Sequence, residues 1–211
     1  MTPRLWVKVC GLRSVEAIEA AVRVGADAVG FVFHEPSPRH VDCARARALA
    51  TAVPAGIDKV AVFLHPTQAL VDAALEAVRP DWLQTDAADL QAIVLPAAQR
   101  VLPVYRTGRI TEAVRARRIL LEAARSGAGE RADWDAAAAL ARTNELVLAG
   151  GLDAANVGAA IESVRPFGVD VSSGVERDRG VKDVALIREF VIAVRAAEAR
   201  LASSAQGVEQ R

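Results

Sequence analysis

The chain has 211 residues, 52% of them hydrophobic, with 26 basic and 26 acidic residues that cancel to no formal net charge. That length suits one large core, and the charge balance lacks the basic footprint of a nucleic-acid binder, which leaves small molecules as the expected partners. No apolar run reaches the roughly 18 residues of a membrane span and no secretion signal opens the chain, so a cytoplasmic protein with no membrane partner is expected.

The first element is a strand from Leu5 to Val9 inside Val7-Lys8-Val9-Cys10-Gly11-Leu12. Side chains alternate along a strand, so Val7 and Val9 share one face while Lys8 and Cys10 share the other. Lysine occurs only at positions 8, 59 and 182, and a lysine inside a strand needs a partner or a task. Further strands are expected at Ala28 to Phe33, Lys59 to Leu64, Trp82 to Gln84, Val101 to Tyr105, Arg118 to Glu122, Leu146 to Ala149 and Gly168 to Ser172. Alanine-rich helices are expected between them at about Val15 to Val24, Cys43 to Val53, Gln68 to Val78, Leu90 to Pro96, Thr111 to Ala116, Trp134 to Ala141, Ala154 to Val164 and Asp183 to Ala202. Near-continuous apolar strands alternating with helices indicate a parallel sheet, and eight such units match a closed (β/α)8 barrel; an open doubly wound sheet is the other arrangement they allow. The expected organisation is one α/β barrel domain over residues 1–200 and a polar, frayed tail from Leu201 to Arg211.

Active sites of such barrels lie where strands run into the following loops. If the valine faces meet the helices, Lys8, Cys10, Glu122 and Asp170 all point inward, bringing a thiol and a carboxylate to one mouth with two further charges to tune them. Ala149-Gly150-Gly151-Leu152 and Asp170-Val171-Ser172-Ser173-Gly174-Val175 follow strands seven and eight, where backbone N–H groups can converge on a phosphate. Each residue has a plainer reading. A strand cysteine is commonly a small core hydrophobe, Lys8 and Asp170 can form a structural ion pair, Glu122 can be a paired structural carboxylate, and Arg39 can be surface charge. Cys10 and Cys43 are expected to be free thiols, and Cys43 has no expected role. His34, His40 and His65 lack metal-ligand spacing, so no metal is expected.

Val7-Lys8-Val9-Cys10-Gly11, Gly30-Phe31-Val32-Phe33 with Ser37-Pro38-Arg39, Asp133-Trp134, Leu148-Ala149-Gly150-Gly151-Leu152 with Asn156-Val157, and Val169-Asp170-Val171-Ser172-Ser173-Gly174-Val175-Glu176 resemble phosphoribosylanthranilate isomerase of tryptophan biosynthesis, in family order from about residue 5 to 198. The resemblance implies a (β/α)8 barrel and a cofactor-free Amadori rearrangement of N-(5-phosphoribosyl)anthranilate. It implies Cys10 as general base and Glu122 as general acid, Arg39 on the aromatic carboxylate, Gly150, Gly151, Ser173 and Gly174 around the phosphate, and Asp170 as support for the sugar or the catalytic loop. Lys8 is a candidate modulator of the thiol. The substrate would be a small anion carrying a phosphate and an aromatic carboxylate, and the protein a monomer or homodimer. Three features depart from the family pattern: Glu122 replaces the usual aspartate, the glycine-rich segment after it is reduced to Ser126-Gly127-Ala128-Gly129, and the family's Gln-Leu-His-Gly reads Gln84-Thr85-Asp86-Ala87. Another sugar-phosphate isomerase or synthase on the same barrel, and a non-catalytic phosphate-ligand-binding barrel, are the alternatives.

Overall fold

The computed structural model describes residues 4–108, 110, 114, 116–123 and 131–208, with side chains to residue 203. Eight parallel strands close in sequence order: β1 (Trp6–Cys10), β2 (Ala28–Val32), β3 (Asp58–Val62), β4 (Trp82–Asp86), β5 (Arg100–Arg106), β6 (Arg118–Glu122), β7 (Glu145–Leu148) and β8 (Gly168–Val171). Closure is made by β1 pairing with β8, Lys8 opposite Asp170. The helices are α1 (Val15–Arg23), α2 (Cys43–Ala50), α3 (Gln68–Val78), α4 (Trp134–Ala141), α5 (Val157–Val164) and α6 (Val184–Val208).

Strand alternation sorts the core into two shells. Val7, Val9, Val29, Phe31, Leu121, Val169 and Val171 meet the helices, each burial worth about 1.5–3 kcal/mol. Trp6, Ala28, Val60, Trp82, Leu102, Val104, Leu120 and Val147 fill the barrel interior. Helix starts follow their capping residues: Ser14, Asp42, Thr67 and Asp133 each accept a backbone N–H from the first turn of α1, α2, α3 and α4.

The helix expected from Leu90 to Pro96 is absent; a 3-10 turn at Ala87–Gln91 takes its place. Gln68 supplies the reason: its side chain accepts from Val94 N at 2.7 Å and donates to Val94 O at 3.0 Å, occupying backbone groups a helix would use, while Pro96 disfavours helical geometry just before it. The helix expected at Thr111 to Ala116 and the Ser126–Gly129 segment fall largely or wholly outside the described residues. α5 begins three residues later than expected, because Asp153 accepts from Ala155 N and Asn156 N and holds 153–156 as a capped turn. α6 runs to Val208, past Leu201 where a frayed tail was expected. After β8 an unanticipated 3-10 turn (Ser173–Val175) leads into a hairpin of β9 (Glu176–Asp178) and β10 (Val181–Lys182). No helix among the described residues is long and apolar enough to cross a membrane.

Candidate active site

Lys8 and Cys10 project from the inner face of β1, and Gly30 of β2 makes room for them: a Cβ there would lie 3.0 Å from Cys10 Sγ and 3.2 Å from Lys8 Cε. Lys8 is fully buried, and its Nζ donates to Asp170 Oδ1 at 2.9 Å. Burial alone would lower the Lys8 pKa, but Asp170 and Cys10 outweigh it and hold the ammonium above its ordinary value. Burial holds the Cys10 thiol above its ordinary pKa, with Asp170 adding to the rise and Lys8 and Lys182 offsetting only part of it. Asp170 is likewise pushed up by burial against the pull of Lys8.

Glu122 ends β6 and pairs with Arg106 from the end of β5. Arg106 also donates to Asp86 of β4, through Nη2 at 2.5 Å and Nε at 3.3 Å. Asp86, a residue the family pattern replaces with histidine, thus joins Glu122 through one guanidinium. Neither Asp86 nor Arg106 was singled out from sequence; a charged residue on the inner face at each strand's end was the available signal.

Arg39 follows β2 but does not stand open on a surface. It is 6% exposed, and its Nε and Nη2 donate to the two oxygens of Glu176 at 2.7 and 2.9 Å. Lys182 Nζ donates to the same carboxylate at 2.8 Å, and Gly180 N does so at 3.1 Å. Burial would raise the Glu176 pKa, but the bonds from Arg39 and Lys182 outweigh it and lower it to about 2. Glu176 and Lys182 are site-region residues that sequence reasoning did not assign, although the resemblance motif ends on Glu176.

Gly150 and Gly151 take φ of +92° and +62°, values that favour glycine. Asn156 Nδ2 holds Gly151 O at 2.7 Å. At Gly174 the backbone passes so close to the loop after β7 that a Cβ would sit 2.0 Å from Leu152 O. Gly150, Gly151, Ser173 and Gly174 therefore belong to two touching loops at one side of the mouth, with Ser172 Oγ donating to Cys10 O at 3.2 Å. Cys43 opens α2 as a half-buried free thiol.

Two other features adjoin the mouth. A cleft of about 690 Å³ between the starts of α1 and α2 and the hairpin is lined by Arg13, Arg45 and Lys182 but by neither Cys10 nor Glu122. His65, Asp86 and Asp89 bring possible ligand atoms within 4.8 Å of one another, a grouping not anticipated from the histidine spacing. Asp89 is engaged by His65 and Thr85, and the Arg106 guanidinium on Asp86 puts positive charge where a cation would have to sit. The cluster therefore reads as an ion-pair and loop-capping group.

Residues 7–193 match the protein family described as N-(5'phosphoribosyl)anthranilate (PRA) isomerase. Over 194 residues the chain is 39% identical to the N-(5'-phosphoribosyl)anthranilate isomerase of Geobacter sulfurreducens, covering 88% of this chain and 96% of that protein. The crystal structure of phosphoribosyl anthranilate isomerase from Thermus thermophilus superposes with a TM-score of 0.77 at 26% identity, covering 91% of this chain and 99% of the other. A second structure, phosphoribosyl anthranilate isomerase in complex with reduced 1-(o-carboxyphenylamino)-1-deoxyribulose 5-phosphate, gives 0.71 at 29% identity over 91% of this chain and 99% of that one.

Proposed function

The chain belongs to the N-(5'-phosphoribosyl)anthranilate isomerase family, and from that premise we propose which of its residues carry each step. The enzyme is an isomerase of tryptophan biosynthesis on a TIM barrel, converting N-(5-phosphoribosyl)anthranilate to 1-(2-carboxyphenylamino)-1-deoxyribulose 5-phosphate. Glu122 as general acid gives its proton to the ribose ring oxygen while the C1–O bond breaks and the amine nitrogen forms the C=N bond of a protonated imine. Cys10 as thiolate then removes the C2 proton, and its electron pair moves into the C1–C2 bond to give an enolamine. Loss of the C2 hydroxyl proton and protonation at C1 deliver the ketone, so the atoms of substrate and product are the same.

The observation that carries this reading is the charge around Cys10. Lys8, Arg39 and Lys182 face only Asp170 and Glu176 in the buried ion pairs beside it. The surplus cation works against the upward push of burial on the thiol and attracts a substrate anion. Arg39 reaches the aromatic carboxylate through Nη1, its Nε and Nη2 being committed to Glu176. Backbone N–H groups of Gly150, Gly151, Ser173 and Gly174 take the phosphate, and Asp170 supports the site through Lys8. Membership of an amino-acid biosynthetic route supports a cytoplasmic location.

Cys10→Ala tests the assignment. General-base loss costs about 10²–10⁴-fold, so kcat, followed by the decay of substrate anthranilate fluorescence, falls by at least about a hundredfold while binding of a reduced product analogue is kept. An unchanged kcat removes Cys10 from the base role. Failure of the native chain to rescue a tryptophan auxotroph lacking this step would exclude the activity itself.

A further inference from the structure

We infer that Lys182 is a positioning residue for Cys10: held on the hairpin after β8, it favours the thiolate and ties the hairpin to the strand that carries the thiol. The inference deepens the proposed reading and rests on Cys10 being the base.

Lys182 Nζ has three partners, Ser172 O at 2.8 Å, Ser172 Oγ at 3.2 Å and Glu176 Oε1 at 2.8 Å. Ser172 Oγ in turn donates to Cys10 O at 3.2 Å, so a chain of hydrogen bonds runs from the ammonium to the backbone of the base. Its side chain is 3% exposed and that of Glu176 4%. A lysine buried this far needs its charge compensated, and Lys182 shares Glu176 Oε1 with Arg39 Nε while Arg39 Nη2 and Gly180 N take Oε2. Glu176 is thus its charge partner, and the two bonds to Ser172 are what link the ammonium to the strand of the thiol.

The hairpin is built to place it. Lys182 lies opposite Glu176 in the β9–β10 pairing, and the turn contains Gly180 at φ +83°. A Cβ at Gly180 would lie 2.5 Å from Pro38 O, so the turn is seated against the residue preceding Arg39. The charged groups that bear on Cys10 are Lys8 from its own strand, Asp170 from β8 and Lys182 from β10; Gly30, the residue of β2 packed on the thiol, brings none. Asp170 is bound to Lys8 at 2.9 Å, which offsets that lysine's charge. Lys182 shares its carboxylate with Arg39, so less of its charge is cancelled.

The test is a titration of the Cys10 thiolate by ultraviolet absorbance in a Cys43→Ser background, with a Cys10→Ala chain subtracted as blank. Lys182→Met, which keeps the stem and removes the charge, raises the titration midpoint by about one pH unit; Lys182→Arg brings it back toward the parent value. Glu176→Gln removes the opposing carboxylate and moves the midpoint the other way. A midpoint unmoved in folded Lys182→Met, or shifts of the same sign in Lys182→Met and Glu176→Gln, overturns the inference. If Lys182→Met does not fold, an unmoved or raised midpoint in Glu176→Gln overturns it. The acid limb of kcat/KM follows the thiol titration when Cys10 is the base; a thiol midpoint that moves while that limb stays still upholds the role of Lys182 and defeats the base assignment.

Discussion

Glu122 shows what a single residue carries and what its neighbours add. Against the family's aspartate it puts the proposed acid about one methylene further out, and about 1 Å of displacement can cost on the order of a hundredfold in rate. Arg106 supplies the restraint that the longer side chain needs, being anchored on Asp86 by two nitrogens while a third grips Glu122. Glu122→Gln, which cannot donate the proton, is expected to lose about 10²–10⁴-fold in kcat, whereas Glu122→Asp retains substantial turnover. Full rate in the Gln variant, measured by the same fluorescence decay, places the acid elsewhere. The sequence made the inward placement of Lys8, Cys10, Glu122 and Asp170 legible because alternation alone decides it. Partnerships were another matter: Arg106 meets Glu122, and Arg39 meets Glu176 across 137 positions, only once strands and loops distant in the chain are brought side by side. Arg39 read as an open anion ligand for that reason.

Elements were legible where their physics is local. The barrel strands other than β4 arise from short apolar runs, β4 carrying only Trp82 and Leu83 before Gln84-Thr85-Asp86, and α3 and α4 keep the bounds their periodicity indicates. The failures are non-local. A helix after β4 is forestalled by a glutamine from α3, and β9 and β10 are too short and polar to show an apolar pattern. The loops after β7 and β8 derive their joint shape from one close approach. Gly174→Ala would put a Cβ 2.0 Å from Leu152 O, a backbone atom with no flexible end to move aside. KM for the phosphorylated substrate should rise more than about tenfold, because the loops proposed to pre-order N–H groups for the phosphate move apart. Gly158→Ala serves as the comparator: it lies inside α5 and meets only the end of the Arg200 side chain at 3.0 Å, so stability should change by less than about 1 kcal/mol and KM not at all. Equal KM in both variants would show that the two loops do not form the phosphate site.

The whole molecule separates its charges by height. At the mouth, Lys8 pairs with Asp170, Arg39 and Lys182 with Glu176, and Arg106 with Asp86 and Glu122, on the side where Cys10 is the proposed base. At the opposite end Arg118 is surrounded by rings, its guanidinium carbon 4.0 Å from the centroid of Phe167 and 4.8 Å from that of Trp82, and its Nη2 lies 2.8 Å from Glu145. Burial would raise the Glu145 pKa, but Arg118 and Arg117 outweigh it and lower it. In a barrel of this type the strand N-termini stabilise and the C-termini react, so the floor should be separable from catalysis. Arg118→Ala removes the cation–π contacts and leaves Glu145 with only the exposed Arg117, a loss of about 1–3 kcal/mol. For a chain of this size that corresponds to a fall in Tm of roughly 2–12 °C, read by thermal unfolding, with kcat/KM at 25 °C within about twofold of the parent. The opposite pattern, unchanged Tm with kcat/KM reduced more than about tenfold, would mean that the floor transmits to the mouth through Leu120 and Val104, the interior side chains between them, and that the two ends of the barrel are not independent.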